Sequence, residues 1–519
     1  MPTARRINRN QTSILALGTL AAAALVGCAP VGPEFVRPEV PLNPEWLDAE
    51  LEQFDNDAAE LTQWWRTFED PVLDRLVTTA YEQNNALKIA GLRVLESQAR
   101  LGIAVGSQYP QVQVATGDVT ALGTSKSVAN TDSRDLTFVQ YNLAAAVSWE
   151  MDFWGRFRRG VEAADAGLLA SIAEYDDVLV LLTAQVADVY TIIRATEEQL
   201  RLAQESVDIQ QRSYDIVQVL YRNGESSELD ALQAQTLLLS TQTIIPNLEA
   251  TLRQTKNALS VLLGMAPANI EELLDGEGTL PRVPETVSIG VPANLLRQRP
   301  DVRKVELQAL AQNALVGLAE ASLYPSFSLR GTLGLSTTEN TSASASGNGG
   351  FSELFDSDSF AYAGGVSFVW PFLNYDRIRN NIRIEDARLQ QALIAYRETV
   401  IQAARETENA LTFHASTRTE NRILREGVVA AKRSADLSML RYQEGFADYQ
   451  RVLNAQQSLF SQQQRYAANR GDIVRSLIAI YRSLGGGWQV NRDYIDETTR
   501  QQMEQRTNWG ELLDNPPQQ

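Results

Sequence analysis

Tyr221-Arg-Asn-Gly224, then Asp230, then Leu232-Gln-Ala234-Gln235, Leu238 and Ser240, is the stretch on which the fold turns, because the chain writes it twice. Tyr442-Gln-Glu-Gly445, Arg451, Leu453-Asn-Ala455-Gln456, Leu459 and Ser461 repeat it at a constant offset of 221 residues. Upstream, Tyr109-Pro110 is answered by Tyr324-Pro325, and Val147-Ser148 with Phe153 by Val366-Ser367 with Phe372, at offsets of 215 and 219. Offsets this constant leave room only for small insertions, so one architecture has been duplicated. Its order in each half is a helical stretch, an alternating strand pair, and a long helical hairpin whose turn carries the glycine.

The helices around that turn are very long. From about Phe157 to Leu220 there is no proline, and Leu182, Val186, Val189, Ile193, Thr196, Leu200, Ala203 and Val207 recur at alternating spacings of four and three. That is a heptad seam, so the helices pair as coiled coils. A run of this length extends on the order of 100 Å at about 1.5 Å per residue. The return helix after Gly224 is expected to continue to Pro246 and beyond, and the one after Gly445 to about Leu484. The return helix is polar on one face (Gln456, Gln457, Gln462, Gln463, Gln464), which suits either a solvated surface or the lining of a water-filled duct.

Between the helices the period switches to two. Val139, Tyr141, Leu143, Ala145, Val147, Trp149, Met151 and Phe153 alternate with Gln140, Asn142, Ser148, Glu150, Asp152 and small residues. In the second half Phe327, Leu329, Leu333 and Leu335 alternate with Ser326, Ser328, Arg330 and Thr332, and Phe360, Tyr362, Val366, Phe368, Trp370 and Phe372 with mostly small residues. Aromatics gather near one end (Trp149, Phe153, Trp154, Trp370, Phe372), as in a transmembrane barrel whose girdle marks an interface; a soluble sandwich sheet is the alternative. Two strands per half give four per chain, too few to close a barrel, and an open edge cannot face hydrocarbon. The barrel reading therefore requires an oligomer, with a dimer at the tight limit and a trimer giving twelve strands. Polar stretches near 123–134 and 336–359 read as external loops.

The amino terminus assigns the compartment. Arg5, Arg6 and Arg9 precede an apolar run from about Ile14 to Val26, too short to span a bilayer, and residues 1–27 read as a signal peptide. The run ends in Leu25-Val26-Gly27-Cys28, similar to a bacterial lipobox, with Cys28 the sole cysteine and the expected lipidation site. Ala29 after it favours onward passage to the outer membrane. Pro30, Pro33, Pro38, Pro41 and Pro44 then block helix and central strand, leaving an extended strap or a loose tether. The formal net charge is −18, and −21 without the three signal arginines, so the chain offers no basic face for nucleic acid. A single histidine, His414, has no metal or nucleophile partner in the pattern, and no phosphate loop or nucleophile motif is present. No catalytic residue, cofactor or metal site is expected.

Several short motifs in order carry a family resemblance. They are the lipobox, Val31-Gly-Pro-Glu-Phe-Val-Arg-Pro38, Trp64-Trp65-Arg66 with Phe68 and Asp70-Pro71, Asn84-Asn85 with Leu87, Gln108-Tyr-Pro110, Arg299-Pro-Asp-Val-Arg303, and Leu484-Gly-Gly-Gly-Trp488. On this duplicated layout the chain resembles the outer-membrane factors of tripartite efflux pumps, the TolC, OprM and NodT type, over residues 28 to about 490. The resemblance implies an α+β membrane protein: a homotrimer with a 12-stranded outer-membrane β-barrel, four strands per protomer, continued by a 12-helix periplasmic coiled-coil α-barrel. It implies a passive conduit for drugs or other small toxic compounds, working with a periplasmic adaptor (membrane fusion protein) and an inner-membrane transporter of the RND type, with outer-membrane lipid around it. The expected division is a signal peptide at 1–27, a lipid-anchored strap at 28–65, a first repeat at 66–290 and a second at 291–490. The first repeat has its strand pair at 109–153 and its tip near 221–230; the second has 324–372 and 442–454. A polar tail, expected to be mobile, fills 491–519.

Mechanism on this reading is passage and gating. The resemblance makes Tyr221, Gly224 and Gly445 adaptor-docking tips, and Asp230, Tyr442, Glu444, Asp448 and Arg451 candidates for the aperture gate. Family tips carry an acid six residues after the glycine; Asp230 matches, and Arg451 departs. Opposite charges on neighbouring hairpins would make Asp230 and Arg451 a latch, against the plainer reading of a solvated pair. A glycine at a helix reversal has its own explanation in the left-handed backbone. A type I protein secretion channel, a metal exporter and a nonconducting envelope scaffold remain as alternatives, and the exported substrate is not legible.

Overall fold

A computed structural model of the chain describes residues 30–48, 50–51, 54–55, 60–125, 127, 137–267, 270–275, 278–290, 296–340, 350–490 and 493–514. The signal peptide and Cys28 lie outside the described residues. Contacts divide the chain into two compact units: residues 1–37, 97–168 and 307–393, and residues 38–96, 169–306 and 394–519.

The first unit holds one antiparallel sheet of four strands: β1 (Val112–Gly123), β2 (Thr137–Met151), β3 (Ser326–Asn340) and β4 (Phe360–Val369), paired in that order. Each half contributes a hairpin, and the central pair β2–β3 joins the halves. The register puts Leu143 opposite Leu335, Ala145 opposite Leu333, and Trp149 opposite Leu329. The facing β4 residues are Phe360, Tyr362 and Val366, so one face is apolar across the sheet. The other face holds a polar network. Thr120 Oγ1 and Asn142 Nδ2 donate to Asp118 Oδ2 (3.1 and 3.0 Å), and Gln140 and Ser336 donate to Asn142 Oδ1 (3.1 and 2.7 Å). Strand β3 continues to Asn340, past the loop boundary expected at 336, because β2 keeps supplying partners up to Phe138.

The duplication is visible in side-chain hydrogen bonds. Trp149 Nε1 donates to the Gln108 carbonyl, and Trp370 Nε1 to the Leu323 carbonyl, both at 3.0 Å. Each tryptophan thus ties its strand to the end of the preceding helix, Asn85–Gly106 or Pro300–Ala321. The proline-rich segment lies along the protein as a strap. In the first unit Val31 N–H donates to Trp154 O (3.0 Å), Arg159 Nε to Val31 O (3.0 Å), and Asn313 Nδ2 to Pro33 O (2.9 Å). Gly32, at φ +101°, runs so close to Gly317 that a Cβ on it would lie 2.3 Å from the Gly317 Cα. In the second unit Trp46 Nε1 donates to Gly290 O (3.1 Å), and Thr412 Oγ1 to Asp48 Oδ2 (2.7 Å).

The long helices Arg156–Arg222 and Arg377–Gln443 are 67 residues each and run through residues of both units. Along the seam Leu182, Val186, Ile193, Thr196 and Ala203 are buried. The second return helix, Tyr449–Ser483, is unbroken. The first is interrupted at Thr243, between Glu228–Gln242 and Ile244–Leu262. Pro246 has no N–H to bond the Gln242 carbonyl, so the helical ladder loses a rung there. The glutamine face is not uniformly solvated: Gln456 is buried, and Gln464 donates to Gln199 O (3.0 Å).

Three of the motifs that carry the resemblance, those at Trp64, Arg299 and Leu484, meet in the second unit. Trp64 is fully buried and stacks on Tyr481 at 5.2 Å. Gly486 lies against Trp64, with room for no Cβ, and Gly487 N–H donates to Leu61 O (2.9 Å). Arg299 binds Asp301 (2.8 Å), Glu406 (2.9 Å) and the Ser483 carbonyl (2.6 Å), and Arg303 sits 5.6 Å over the Trp488 ring. A buried guanidinium needs such partners to offset its desolvation. The tail departs from expectation: Glu497–Arg506 is a helix, started by Asp496 accepting from Thr499 N (2.9 Å). Its Met503, with Leu513, is buried against Leu95, an apolar contact that the polar composition of 491–519 hides.

Candidate functional site at the hairpin tips

Both reversals are built alike. After Arg156–Arg222 the Gly224 N–H bonds Tyr221 O (2.9 Å) and the Glu225 N–H bonds Leu220 O (2.8 Å). After Arg377–Gln443 the Gly445 N–H bonds Tyr442 O (3.0 Å) and the Phe446 N–H bonds Arg441 O (2.8 Å). Paired bonds of this kind close a Schellman motif, which needs a left-handed residue, and the glycines have φ of +80° and +79°. A Cβ on either would meet nothing within 4 Å, so backbone angle alone demands glycine within one chain.

The helices that follow are capped differently. In the first tip Ser227 Oγ accepts from Asp230 N (3.1 Å) and Asp230 Oδ2 accepts from Ser227 N (3.3 Å), a reciprocal capping box. The second tip places Asp448 where Ser227 stands and Arg451 where Asp230 stands. Asp448 Oδ1 accepts from Arg451 N (3.1 Å), and the Arg451 guanidinium returns to Asp448 at 3.9 Å. The acid has moved from the third helical position to the cap itself, which explains the departure at Arg451 in local terms. Among the described residues Asp230 and Arg451 form no ion pair within one chain.

The structure does join Asp230 to Tyr442, through a residue the sequence reading passed over. Tyr442 Oη donates to Ser226 Oγ (3.2 Å), and Ser226 Oγ donates to Asp230 Oδ2 (3.1 Å), linking the two hairpins. Beside it Tyr449, almost fully buried, hydrogen-bonds Ser213 Oγ at 2.9 Å and lies 5.1 Å from the Tyr442 ring. Val217, Ala231, Ala234, Val452 and Leu453 complete the core between the hairpins. Burial raises the Tyr442 phenol above its ordinary pKa, opposed by the Ser226 hydroxyl and reinforced by the Asp230 carboxylate. Burial raises the Tyr449 phenol as well, so both tyrosines stay protonated at neutral pH.

Around this joint the tips are exposed. Glu444, Asp448, Arg451, Gly224 and Gly445 face solvent, and Tyr221 is partly exposed. Phe446 is 79% exposed and Leu229 62%, an apolar pair that helical periodicity could not single out. Ser226 had a sequence signal: it opens the run Ser226-Ser227-Glu228-Leu229-Asp230, a capping-box pattern. His414 stands apart as a core residue, fully buried, with Nδ1 2.8 Å from Ser476 Oγ. Burial, and then the Arg418 charge, push its imidazole down to about 4. Among the described residues no group of three or more His, Cys, Asp or Glu is placed to hold a metal.

Comparison with known proteins places this architecture. The family model for outer membrane efflux proteins matches residues 76–265 and 291–486. The pyoverdine export outer membrane protein OpmQ of Pseudomonas putida is 29% identical over 432 residues, covering 83% of this chain and 89% of OpmQ. The cation efflux system protein CusC of Escherichia coli is 28% identical over 470 residues, covering 90% of this chain and 97% of CusC. The solved structure of the outer-membrane channel OprN superposes with a TM-score of 0.82 at 29% identity, over 89% of this chain and all of OprN. A duplicated fold of amphipathic strand hairpins and long helical hairpins, matched by family and structure along most of its length, identifies the chain as a member of the outer membrane efflux protein family and an outer-membrane efflux channel.

Proposed function

We propose that three copies of the chain form one continuous conduit, a 12-stranded barrel in the outer membrane leading into a 12-helix periplasmic barrel. The observation that carries this reading is the four-stranded sheet with one apolar face and two outer strands, β1 and β4, each paired on one side only. Such edges are untenable in hydrocarbon, and copies related by rotation remove them by pairing β4 of one with β1 of the next. The network around Asp118 and Asn142 then faces the lumen and the apolar face meets lipid. Cys28 carries the lipid anchor, and residues 30–48 lead from it onto the body.

The tips form the periplasmic aperture and the adaptor-docking surface, with Tyr221, Gly224 and Gly445 at the contact and Phe446 and Leu229 adding apolar area. Asp230 and Tyr442 hold the two hairpins of one protomer together through Ser226. Glu444, Asp448 and Arg451 project outward, and the latch between Arg451 and Asp230 acts across protomer boundaries. Each exposed pair contributes roughly 1 kcal/mol or less, repeated three times by symmetry. The energy for transport comes from an inner-membrane transporter of the RND type, reached through a periplasmic adaptor, and the cargo is a small toxic compound. Purified protein in a planar bilayer is expected to give small, mostly closed, cation-favouring currents, and native mass spectrometry a mass of three chains. A monomer without conductance would overturn the reading.

A further inference from the structure

The apolar face of the sheet has a boundary. Along β3 it runs Phe327, Leu329, Gly331, Leu333, Leu335, then turns polar at Thr337 and Glu339. Tyr141 on β2 stands opposite Thr337, at the level where β3 turns polar and with Val139 beyond it on the same face, and donates from its hydroxyl to Glu339 Oε2 (3.0 Å). From Met151, in the row that contains Phe327 and Phe368, back to Tyr141 the strand rises roughly 33 Å, or about 25 Å of height at a tilt near 40°. That is the height of the lipid-facing band of an outer-membrane barrel, which ends at both interfaces in aromatic residues. The helix end has its aromatics in Trp149, Phe153, Trp370 and Phe372. Toward the far end the strands supply Tyr141 and Phe360, and the connection between β3 and β4 supplies more.

Residues 350–359 of that connection fold in two tight turns, Phe351–Glu353 and Ser357–Ser359, tied by Ser359 Oγ donating to Glu353 O (2.6 Å) and anchored by the buried Leu354. Phe351 packs edge-on against Tyr141 at 5.7 Å, which places the segment on the lipid-facing side of the sheet and away from the Asp118 and Asn142 side. Phe355 stands edge-on to Phe351 at 6.3 Å, and the two rings are 60% and 66% exposed. We propose that this segment is a lipid-interface anchor, with Phe351 and Phe355 seated in the headgroup zone of the outer leaflet to complete the outer girdle. The occupant is lipid because the rings continue the face that already meets hydrocarbon, at the depth where polar side chains return. The inference rests on the barrel reading.

The test uses full-length trimer in proteoliposomes, with the parent chain, whose sole cysteine is Cys28, as blank. Phe355→Cys and Leu333→Cys are each labelled with an environment-sensitive dye, and lipids carrying spin labels at the headgroup or deep in the chain act as quenchers. Leu333 reports the middle of the apolar band. The expected result is at least twofold stronger quenching of the 355 dye by headgroup labels than by deep labels, with the reverse order for the 333 dye. A water-like, unquenched 355 dye beside a quenched 333 dye overturns the anchor and leaves the barrel standing. Two unquenched dyes overturn both.

Discussion

Ser226→Ala tests whether the joint between the hairpins is part of the gate. The substitution removes the acceptor for Tyr442 Oη at 3.2 Å and the donor to Asp230 Oδ2 at 3.1 Å, and leaves the Ser227 capping box intact. Ser226 is only partly buried, so each bond contributes near the low end of the usual range, about 0.5 kcal/mol, or about 1 kcal/mol per chain. If the three tips open together, the trimer loses about 3 kcal/mol of closed-state preference, roughly a hundredfold in the opening equilibrium. Single-channel recording in planar bilayers reads this as open occupancy. Ser226→Thr keeps the hydroxyl and should remain closed, while Ser226→Ala should open with a fall in melting temperature of no more than about 2 °C. Equal occupancy in wild type and Ser226→Ala would refute the reasoning.

Gly445→Asn and Gly445→Ala separate backbone from contact. Asn tolerates φ near +79° better than Ala, for which the left-handed cost is about 1–2 kcal/mol, so hydrogen exchange at the tip should rise more in the Ala variant; equal exchange in both would contradict the strain argument. If the Asn variant keeps its tip but loses adaptor in a pull-down, the glycine also marks a contact. His414, held at about 4 against about 6.5 when unfolded, favours the folded state fully only above pH 6.5, and this contribution is lost as pH falls toward 4. The loss is at most about 3 kcal/mol per chain. His414→Gln should therefore melt less acid-sensitively than wild type between pH 6.5 and 4, and parallel melting curves would count against it. Arg451→Asp gives up the weak pair with Asp448 and adds an acid in the first helical turn, where the helix dipole favours it, so stability should be nearly unchanged. A rise in conductance with an unshifted melting curve would then belong to the gate, and an unchanged conductance would remove Arg451 from it.

The long-range plan was legible because it depends on period. Heptads gave the helices, alternation gave the strands, and the repeated turn gave two helices of equal length. What failed were places where one contact outweighs composition. The tail reads as polar, yet Met503 and Leu513 suffice to dock a short helix on Leu95. The helix beyond Gly224 breaks at Thr243 because Pro246 removes one donor, a local fact inside a periodic run. The glutamines along 456–464 read as one polar face, suited to solvent or to a duct, yet Gln456 is buried and Gln464 bonds Gln199, and only tertiary packing distinguishes such positions. At the site, the glycines and acids were readable from the turn. The Tyr442–Ser226–Asp230 link was not, since it joins residues 216 apart in the chain.

The two tips show how duplicated elements diverge without losing their fold. Each must reverse a helix and start another, and Gly224 and Gly445 perform the reversal identically. Starting the new helix requires only that an exposed N–H find an acceptor, and either a serine with an acid at the third position or an acidic cap meets that need. Capping is therefore degenerate, and with Asp448 at the cap the start of the second helix needs no acid at position 451. The consequence is electrostatic. The first tip keeps its carboxylate engaged inward by Ser226 and Ser227, while the second presents an arginine and an aspartate outward, each about 70% exposed. Within one chain the carboxylate of the first tip is thus tied to its own hairpins, and the charged pair of the second is the more exposed of the two.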